Sequence, residues 1–375
     1  MKNLETLIQE LCPDGVEFVK IGEVAKVGTG SSNRQDAVDD GKYPFYVRSK
    51  NILASDTYEF DDESIIIPGE GGIGEIFHYV KGKYALHQRV YRINFYDERI
   101  NVKFVYYYMY SCFKRFIMKK AVSATVTSIR KPMIEKFEFP LPPIEVQTEI
   151  VRILDKFTSL EAELEAELDC RKRQYEYYRD KLLSFDNVGG QDVEWKKMNE
   201  VCVNCDSKRK AVTGAKRESG NIPYYGASGI VDYVKDYIFD GDYLLVSEDG
   251  ANLLARNTPI AFSIKGKNWV NNHAHILKFD NLTSQKFVEY YLNSICLSTW
   301  ISGAAQPKLN QENLNRIPIP IPPLAEQHRI VAILDRFESL TTSLQSGLPA
   351  EISARRQQYE YYRDKLLTFK RKGVA

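Results

Sequence analysis

The residues with the clearest potential for ligand chemistry lie in two polar loops, one near the start of each half of the chain. The first loop is Gly28–Arg34, and the second runs from Ser207 to Arg217. Asn and Arg side chains can pair with base edges in a DNA groove, and Lys side chains can bind phosphates. The candidate nucleic-acid contacts in and beyond these loops are Ser31, Ser32, Asn33, Arg34, Arg48, Lys50, Arg130, Lys131, Lys208, Arg209, Lys210, Lys216, Arg217, Lys308 and Asn310. The alternative for any one of them is a solvated polar side chain with no ligand.

Two short motifs have the spacing of cofactor or metal sites but favour structural explanations. Gly69–Gly74 matches G-x-G-x-x-G, yet Glu75–Val80 after it has the pattern of a strand, whereas a dinucleotide site requires a helix there. We therefore predict a hairpin turn. Cys202 and Cys205 form a lone C-x-x-C without a second ligand pair at a zinc-finger spacing, which indicates incidental thiols. The sequence thus predicts no catalytic residue, no bound cofactor and no metal site in this chain.

The composition is typical of a soluble protein with reduced thiols. The 375 residues include 51 Lys and Arg against 50 Asp and Glu, so a net charge of +1 identifies no partner by itself. The six cysteines are scattered, which fits free thiols better than a disulfide framework. The first residues lack an apolar signal core, and no stretch approaches the length of a membrane span. These features predict a cytoplasmic protein.

Each half opens with short apolar runs separated by Gly, Asp and Asn, a pattern typical of strands joined by turns. The elements predicted in the first half are strands at Tyr43–Val47, Ser64–Ile67, Ile76–Val80 and Val90–Ile93 and an aromatic helix over Asn101–Lys120. Their counterparts in the second half are strands at Ile222–Tyr225 and Tyr243–Ser247 and a helix over Ser284–Thr299. Both segments are therefore predicted to be α+β domains with a sheet core.

A proline-rich entry and a long helix follow each segment, so the chain carries the same unit twice. The decapeptide Gln174–Leu183 is identical to Gln358–Leu367, at an offset of 184, whereas Pro143 and Gln147 recur at an offset of 180. The second copy of the helical region is therefore four residues longer than the first. The predicted segments are 1–15, a helix packed with the long helices, then the domain 16–140, the long helix 141–186, the domain 187–319 and the long helix 320–375.

The long helices have a coiled-coil pattern whose middle differs between the two copies. The first copy has three successive tetrapeptides with Leu in the third place, and one tetrapeptide more or less would change its length by about 6 Å. The second copy has Gly347 and Pro349 in this zone, which predict a kink or break at 347–349. The candidate spacer residues are Leu160, Leu164, Leu168, Leu340 and Leu344.

The end of each long helix is rich in Tyr and Arg, which are favoured anchors at protein interfaces. The candidate partner-docking residues are Tyr175, Tyr177, Tyr178, Arg179, Tyr359, Tyr361, Tyr362 and Arg363. The alternative is that these side chains only pack the helices together. Both roles can also be divided between two faces of one helix.

Two dissimilar sheet domains that alternate with two nearly identical Pro-Pro-x-x-x-Gln helices resemble the specificity (S) subunit of type I restriction-modification systems. The resemblance covers almost the whole chain, because the helix entry and the tyrosine-rich helix end occur in register in both halves. It implies a pseudo-twofold α+β fold in which two target recognition domains are separated by two long antiparallel coiled-coil helices. It also implies that each domain reads one half of a bipartite double-stranded DNA target and that the helices set the gap.

The resemblance further implies that the chemistry belongs to partner subunits and that this chain is not an enzyme. Two methyltransferase (M) subunits would dock on the chain and use S-adenosylmethionine to methylate adenine. Restriction (R) subunits would join them to form a nuclease that needs ATP and Mg²⁺.

Two other interpretations stay open. The chain could be the recognition part of a self-contained DNA methyltransferase or nuclease, or a coiled-coil scaffold that binds only protein. The sequence contains no Asn-Pro-Pro-Tyr methyltransferase motif and no P-loop, which disfavours the first of these. Sequence-specific binding to duplex DNA would exclude the second.

Overall fold

The computed structural model of the chain describes residues 4–120, 128–185, 193–303, 306–343 and 345–373. It divides into unit 1, Met1–Glu165 with Ile352–Ala375, and unit 2, Ala166–Glu351. The helices are α1 (Leu4–Leu11), α2 (Ile21–Val24), α3 (Val102–Lys120), α4 (Lys131–Glu135), α5 (Ile144–Leu183), α6 (Met198–Val201), α7 (Asn252–Ala255), α8 (Leu282–Ser294), α9 (Gln311–Arg316), α10 (Leu324–Thr342) and α11 (Leu348–Leu366). The strands are β1 (Glu17–Lys20), β2 (Ala25–Thr29), β3 (Tyr43–Tyr46), β4 (Leu53–Ser55), β5 (Phe60–Pro68), β6 (His78–Leu86), β7 (Val90–Phe95), β8 (Glu138–Leu141), β9 (Glu194–Lys197), β10 (Val203–Asn204), β11 (Ser219–Gly226), β12 (Gly229–Val234), β13 (Phe239–Ser247), β14 (Ala261–Val270), β15 (Ala274–Lys278) and β16 (Pro318–Ile321).

Each unit contains a six-stranded sheet with the same strand order. The order is β2-β7-β5-β6-β3-β4 in unit 1 and β10-β15-β13-β14-β11-β12 in unit 2. All neighbouring strands are antiparallel except one pair at the same place in each sheet, β3 with β6 and β11 with β14. The apolar runs Ile65–Ile67 and Leu244–Val246 lie in the central strands and are fully buried, as continuous apolar runs require. The predicted α+β class with two repeated sheet domains is confirmed.

An aromatic helix packs against the sheet in each unit. The α3 side chains Phe104 and Phe113 belong to the main core of unit 1, and the α8 side chain Phe287 belongs to that of unit 2. The prediction that the second of these helices reaches Thr299 is wrong, because α8 ends at Ser294. Arg256 donates hydrogen bonds to the carbonyls of Leu292 and Ile295 at this end, so these orphan acceptors are satisfied without a further turn.

The repeated Pro-Pro-x-x-x-Gln motif has a direct structural explanation in its buried glutamine. In unit 1 the Gln147 amide donates to the carbonyls of Pro142 (2.7 Å) and Arg99 (2.8 Å), and its oxygen accepts from the Asn101 backbone N–H. In unit 2 Gln327 donates to the Pro322 carbonyl at 2.8 Å. The side chain thereby ties the proline turn before each long helix and, in unit 1, the start of α3 to the first turn of that helix.

The long helix is continuous in the first copy and broken in the second. α5 spans 40 residues, whereas the corresponding region is divided into α10 and α11. The break lies between Thr342 and Leu348, slightly before the predicted 347–349, because Ser343 adopts an extended conformation. Pro349 falls in the first turn of α11, where a missing N–H is tolerated.

Helix α1 belongs to the same hydrophobic cluster as the end of α11. Leu4 is buried in this cluster together with Leu367, and Glu5 lies 3.8 Å from Lys365. The Val16 backbone also exchanges hydrogen bonds with Lys370 and Lys372. The first and last described segments of the chain therefore meet in unit 1. None of the described helices combines the length and apolar character needed to cross a membrane.

Candidate nucleic-acid interface

Four loops of unit 1 converge on one cavity, and they carry most of the contacts predicted in the first half. They are loops 30–36, 47–52, 69–75 and 87–89, which we call the unit 1 loop cluster. Arg34, Arg48, Glu70 and His87, one from each loop, line the cavity, whose volume is about 260 Å³. The backbone fixes this arrangement, because Ser32 bonds to Leu86 and Gln88. Side chains that are far apart in the sequence are thus brought together.

The Glu70 carboxylate pairs with two arginines of the unit 1 loop cluster. It accepts hydrogen bonds from Arg89 (3.0 Å) and Arg48 (3.1 Å), and these guanidinium groups hold its pKa below the usual range. Burial and the two neighbouring arginines lower the pKa of His87, whose Nδ1 accepts a hydrogen bond from the Arg89 N–H. Around Glu70 the cluster therefore combines two guanidinium groups, from Arg48 and Arg89, with one carboxylate and a neutral imidazole.

The polar loop predicted to read bases is partly engaged by its own domain. The backbone N–H groups of Ser31 and Ser32 and the Ser32 hydroxyl all donate to the Glu59 carboxylate. Asn33 instead accepts a hydrogen bond from Gln88 through its side-chain oxygen. Arg34, at the end of the loop, is exposed and is better placed to meet a ligand than Ser32.

In unit 2 an ionic network takes up two of the predicted contacts, Arg209 and Lys308. Arg209 is only 13% exposed, and it bonds to Glu248 (2.6 Å), to Asp206 (3.2 Å) and to the Ala274 carbonyl. Lys308 approaches the same Glu248 at 3.1 Å while remaining about half exposed. The structure therefore gives the Arg209 guanidinium internal partners, which favours a structural role for it.

Three residues of this network have the composition of a metal site but not the free ligand atoms. Ligand atoms of Asp206, Glu248 and His275 lie within 4.8 Å of one another. However, His275 engages Asp206 through Nδ1 (2.6 Å) and the Leu309 carbonyl through Nε2 (2.7 Å). Because Arg209 and Lys308 already pair with the two carboxylates, the group is better described as a charge-compensated network.

Loop 208–217 of unit 2 crosses the sheet above two stacked aromatic rings. Trp269 stacks on Tyr224 with 26° between the ring planes, and the Arg217 guanidinium lies 4.3 Å from the centre of the Tyr224 ring. Lys210 and Lys216 line the adjoining groove of about 490 Å³. A groove that combines cations with aromatic faces has the chemistry of nucleic-acid binding.

The predicted contacts fall into two groups by exposure. The exposed members are Ser31, Arg34, Arg48, Lys50, Arg130, Lys131, Lys208, Lys210, Lys216 and Lys308. The half-buried members are Ser32, Asn33, Arg209, Arg217 and Asn310. Asn310 serves as the N-cap of α9 by accepting from the Asn313 N–H at 2.8 Å. Prediction from the sequence missed Glu70, Gln88, Arg89 and Trp269, because only the fold brings their loops beside the chosen ones.

The tyrosines at the two helix ends divide between packing and exposed faces. Tyr178 stacks on Phe337 (5.7 Å, 24°) in unit 2, and Tyr362 stacks on Phe157 (5.6 Å, 24°) in unit 1. Tyr175 and Tyr359 are half-buried beside the same phenylalanines and beneath Arg179 and Arg363, respectively. By contrast, Tyr177 and Tyr361 are 60% and 64% exposed.

The spacer leucines that the structure describes are only partly buried or are exposed. Leu160, Leu164 and Leu168 are half-buried, and Leu340 is exposed. Leu344 lies outside the described residues. In unit 1 Arg356 of α11 bonds to both Glu161 and Glu165, which stand in the fourth place of two successive tetrapeptides. The first two tetrapeptides therefore contact α11 through their acidic residues.

Comparison with known proteins identifies the same arrangement elsewhere. The family model described as type I restriction modification DNA specificity domain matches residues 13–169 and 190–354. The chain is 33% identical over 302 residues to the EcoR124I/EcoR124II specificity subunit of Escherichia coli, covering 73% of this chain and 72% of the relative. A Haemophilus influenzae protein described as a type I restriction enzyme specificity subunit is 42% identical over 182 residues. That match covers 48% of this chain and 47% of the relative, so the chain spans about half the length of this relative.

Solved structures share the fold. The S subunit of a type I restriction-modification system from M. genitalium superposes with a TM-score of 0.62 at 17% identity, covering 94% of this chain and 96% of that chain. A chain from a type I restriction-modification complex gives a TM-score of 0.57 at 14% identity, covering 97% and 99%. The family model matches both repeated domains, and the chain belongs to the type I restriction-modification DNA specificity family.

Proposed function

We propose that the chain is the DNA-reading subunit of a type I restriction-modification complex and that each unit reads one half of a bipartite target. The main support is that two sheets of identical strand order carry loops of different chemistry. Unit 1 offers a cavity with Arg34, Arg48 and Glu70, whereas unit 2 offers a groove with Lys216 and Trp269. One scaffold with two sets of loop side chains suits two different half-sites.

The helices have two roles in this proposal, spacing and docking. The tetrapeptide run of α5 would set the gap between the half-sites. The exposed tyrosines Tyr177 and Tyr361, identical in both copies, would dock two M subunits, since two copies of one surface suit two copies of one partner. Tyr178 and Tyr362 contribute mainly to packing, because each stacks on a phenylalanine of the neighbouring helix.

The chemical steps would belong to the partners. M subunits would supply S-adenosylmethionine-dependent adenine methylation, and R subunits would supply ATP- and Mg²⁺-dependent cleavage, in keeping with a non-catalytic role for this chain. A self-contained methyltransferase or nuclease and a protein-only scaffold are the competing functions.

The distinguishing experiment combines the full chain with its M subunit and measures DNA methylation. Methylation of a bipartite sequence that needs both proteins supports the proposal. Methylation or cleavage by this chain alone would favour a self-contained enzyme. Failure of the complex to bind duplex DNA in a sequence-dependent way would favour the scaffold.

A further inference from the structure

A carboxylate occupies the same position in both sheets, immediately after the long central strand. Glu70 is the second residue after β5, and Asp249 is the second residue after β13. Each is followed by a glycine with positive φ, Gly71 at +73° and Gly250 at +107°. This left-handed conformation favours glycine and ends the strand in a sharp turn. The two turns therefore present an acidic side chain in the same way.

The backbone around both carboxylates is matched bond for bond. In unit 1 the Gly69 N–H donates to the Arg89 carbonyl (2.9 Å), and the Gly69 carbonyl accepts from the Ile129 N–H (2.7 Å). In unit 2 the Glu248 N–H donates to the His273 carbonyl (2.9 Å), and the Glu248 carbonyl accepts from the Leu309 N–H (2.8 Å). Glu70 and Asp249 thus stand at equivalent points of the fold.

A basic side chain at equivalent positions holds each carboxylate. Arg89 and His273 are the last residues before β7 and β15. One Arg89 nitrogen lies 3.0 and 3.3 Å from the two Glu70 oxygens, and His273 Nδ1 lies 2.8 and 3.0 Å from the two Asp249 oxygens. The two domains differ in most loop residues, yet both place an acid from one turn against a base from the next loop.

These pairs are accessible, unlike the buried network beside one of them. The Glu70 and Asp249 side chains are 38% and 34% exposed, and Glu70 lines the cavity of the unit 1 loop cluster. Exposed pairs of this kind contribute little to stability. A purely stabilising role therefore gives no reason for the same pair to stand on both readers.

A carboxylate in a DNA groove can distinguish bases by their hydrogen-bonding groups. It only accepts hydrogen bonds, so it matches the exocyclic amino group of cytosine or adenine and opposes the carbonyl oxygen of guanine or thymine. The basic partner keeps the side chain in one orientation while leaving lone pairs free. In unit 1 Arg48 adds a donor beside the acceptor, whereas the corresponding turn of unit 2 lacks an arginine. The two units would consequently read different neighbouring bases.

We propose that Glu70 and Asp249 are specificity-determining residues, each accepting a hydrogen bond from the exocyclic amino group of a cytosine or adenine in the half-site read by its unit. This inference rests on the proposed function.

The test uses the full chain in complex with its M subunit and a duplex DNA library with randomised positions. The DNA that is bound by the wild type, by Glu70→Gln and by Asp249→Asn is recovered and sequenced. Asp61→Asn is the matched control for unit 1, because Asp61 is exposed on β5, the strand that leads to Glu70, and lies outside the unit 1 loop cluster. Asp242→Asn, exposed on β13, serves for unit 2.

We expect Glu70→Gln to reduce discrimination about 5- to 150-fold at one position of one half-site, and Asp249→Asn to do so in the other half-site. Both controls should keep the wild-type motif. An unchanged motif in both variants would overturn the inference, as would an equal loss of affinity for all sequences together with a lower melting temperature. A wild-type complex that selects no bipartite motif would instead overturn the proposed function.

Discussion

The two domains contain exposed pairs in their loops, such as Glu70 with Arg89, and unit 2 also contains a buried ionic network. Burial opposes ionisation of Asp206, but hydrogen bonds from His275 and Ile276 and the charge of Arg209 outweigh it and hold the pKa below the ordinary value. The folded state therefore favours the carboxylate. The Asp206 carboxylate makes its full contribution to the free energy of unfolding at a pH above about 4, the ordinary pKa of an aspartate. This contribution is lost as the pH falls through the lower pKa of the folded state.

Replacing Asp206 by asparagine should destabilise unit 2 by about 1 to 3 kcal/mol at pH 7, because it removes the carboxylate that bonds to the buried His275 and one of the two carboxylates that pair with Arg209. Urea unfolding at pH 7 and pH 3.5 measures this loss. Since the carboxyl group of the unfolded chain becomes protonated below about pH 4, the stability contributed by the folded carboxylate falls, and the difference should shrink at the lower pH. Asp280→Asn, at an exposed site, should change little. A deficit that grows on acidification would contradict the role assigned to Asp206.

At the scale of elements, the repeated residues of the helices mostly serve their own domains. Asp155 accepts hydrogen bonds from Lys103 (2.8 Å) and Tyr107 (2.6 Å) of α3, and Asp335 accepts from Tyr290 of α8 (2.6 Å). Burial, together with these hydrogen bonds, raises the pKa of Tyr107 and Tyr290. Each long helix is thereby fixed to the aromatic helix of its unit, which explains why the helix entries differ so little.

The buried glutamines allow a paired test of this anchoring. Gln147→Ala should cost about 2 to 4 kcal/mol, because it leaves one N–H and two carbonyls without partners. Amide hydrogen exchange at Asn101 should rise, since its N–H would lose its acceptor. Gln327→Ala removes a carbonyl contact and a Ser284 contact and should cost less. Equal effects at both sites, or no change at Asn101, would count against this explanation.

The tetrapeptide run predicts how the α5–α11 pairing responds to a change of length. Removing Ala162–Glu165 brings Asp169 to the place of Glu165, so Arg356 would still face two acidic residues. We therefore expect the variant to fold, with a shorter gap between its half-sites in the methylated motif. A same-length variant, Glu163→Ala, should keep the gap. An unaltered gap in the deletion variant would refute the spacer role.

Local sequence patterns predicted the helices and strands well, but they predicted poorly which distant segments come together. Strand periodicity located Ser64–Ile67 inside β5, and Gly347 with Pro349 located the helix break to within a few residues. The hairpin prediction for Gly69–Gly74 is confirmed, because β6 follows it rather than a helix. By contrast, the end of α8 depends on Arg256, which lies 36 residues before Leu292. No local pattern contains such a partner.

The sequence predicted the loops of the candidate site, but it did not predict the ion pairs that form between them. Arg34 and Arg48 were identified from residue type and flanking turns, and the structure places both on one cavity. Glu70 was overlooked, because a lone acid in a glycine turn carries no signal of DNA contact. Arg209 was chosen for its charge, and its burial follows from Asp206 and Glu248, which lie at very different places in the chain.

At the scale of the whole molecule, the proposal is that the chain carries two DNA readers, which share one fold and differ in loop chemistry. Each unit has its own sheet, its own aromatic helix and its own part of the long helices. A change confined to one reader should therefore alter one half of the target alone. Because the helix entries belong to the units they anchor, the junctions at 16 and 140 are suitable places for an exchange.

The most direct test is to replace residues 16–140 by the corresponding segment of a relative that has a different target. The methylated positions are then determined by sequencing the DNA of cells that carry the hybrid and its M subunit. The unmodified chain should yield one bipartite motif. The hybrid should yield a motif in which one half-site is new, while the other half-site and the gap are unchanged. A hybrid that changes both half-sites, or only the gap, would contradict the assignment of one reader to each half-site.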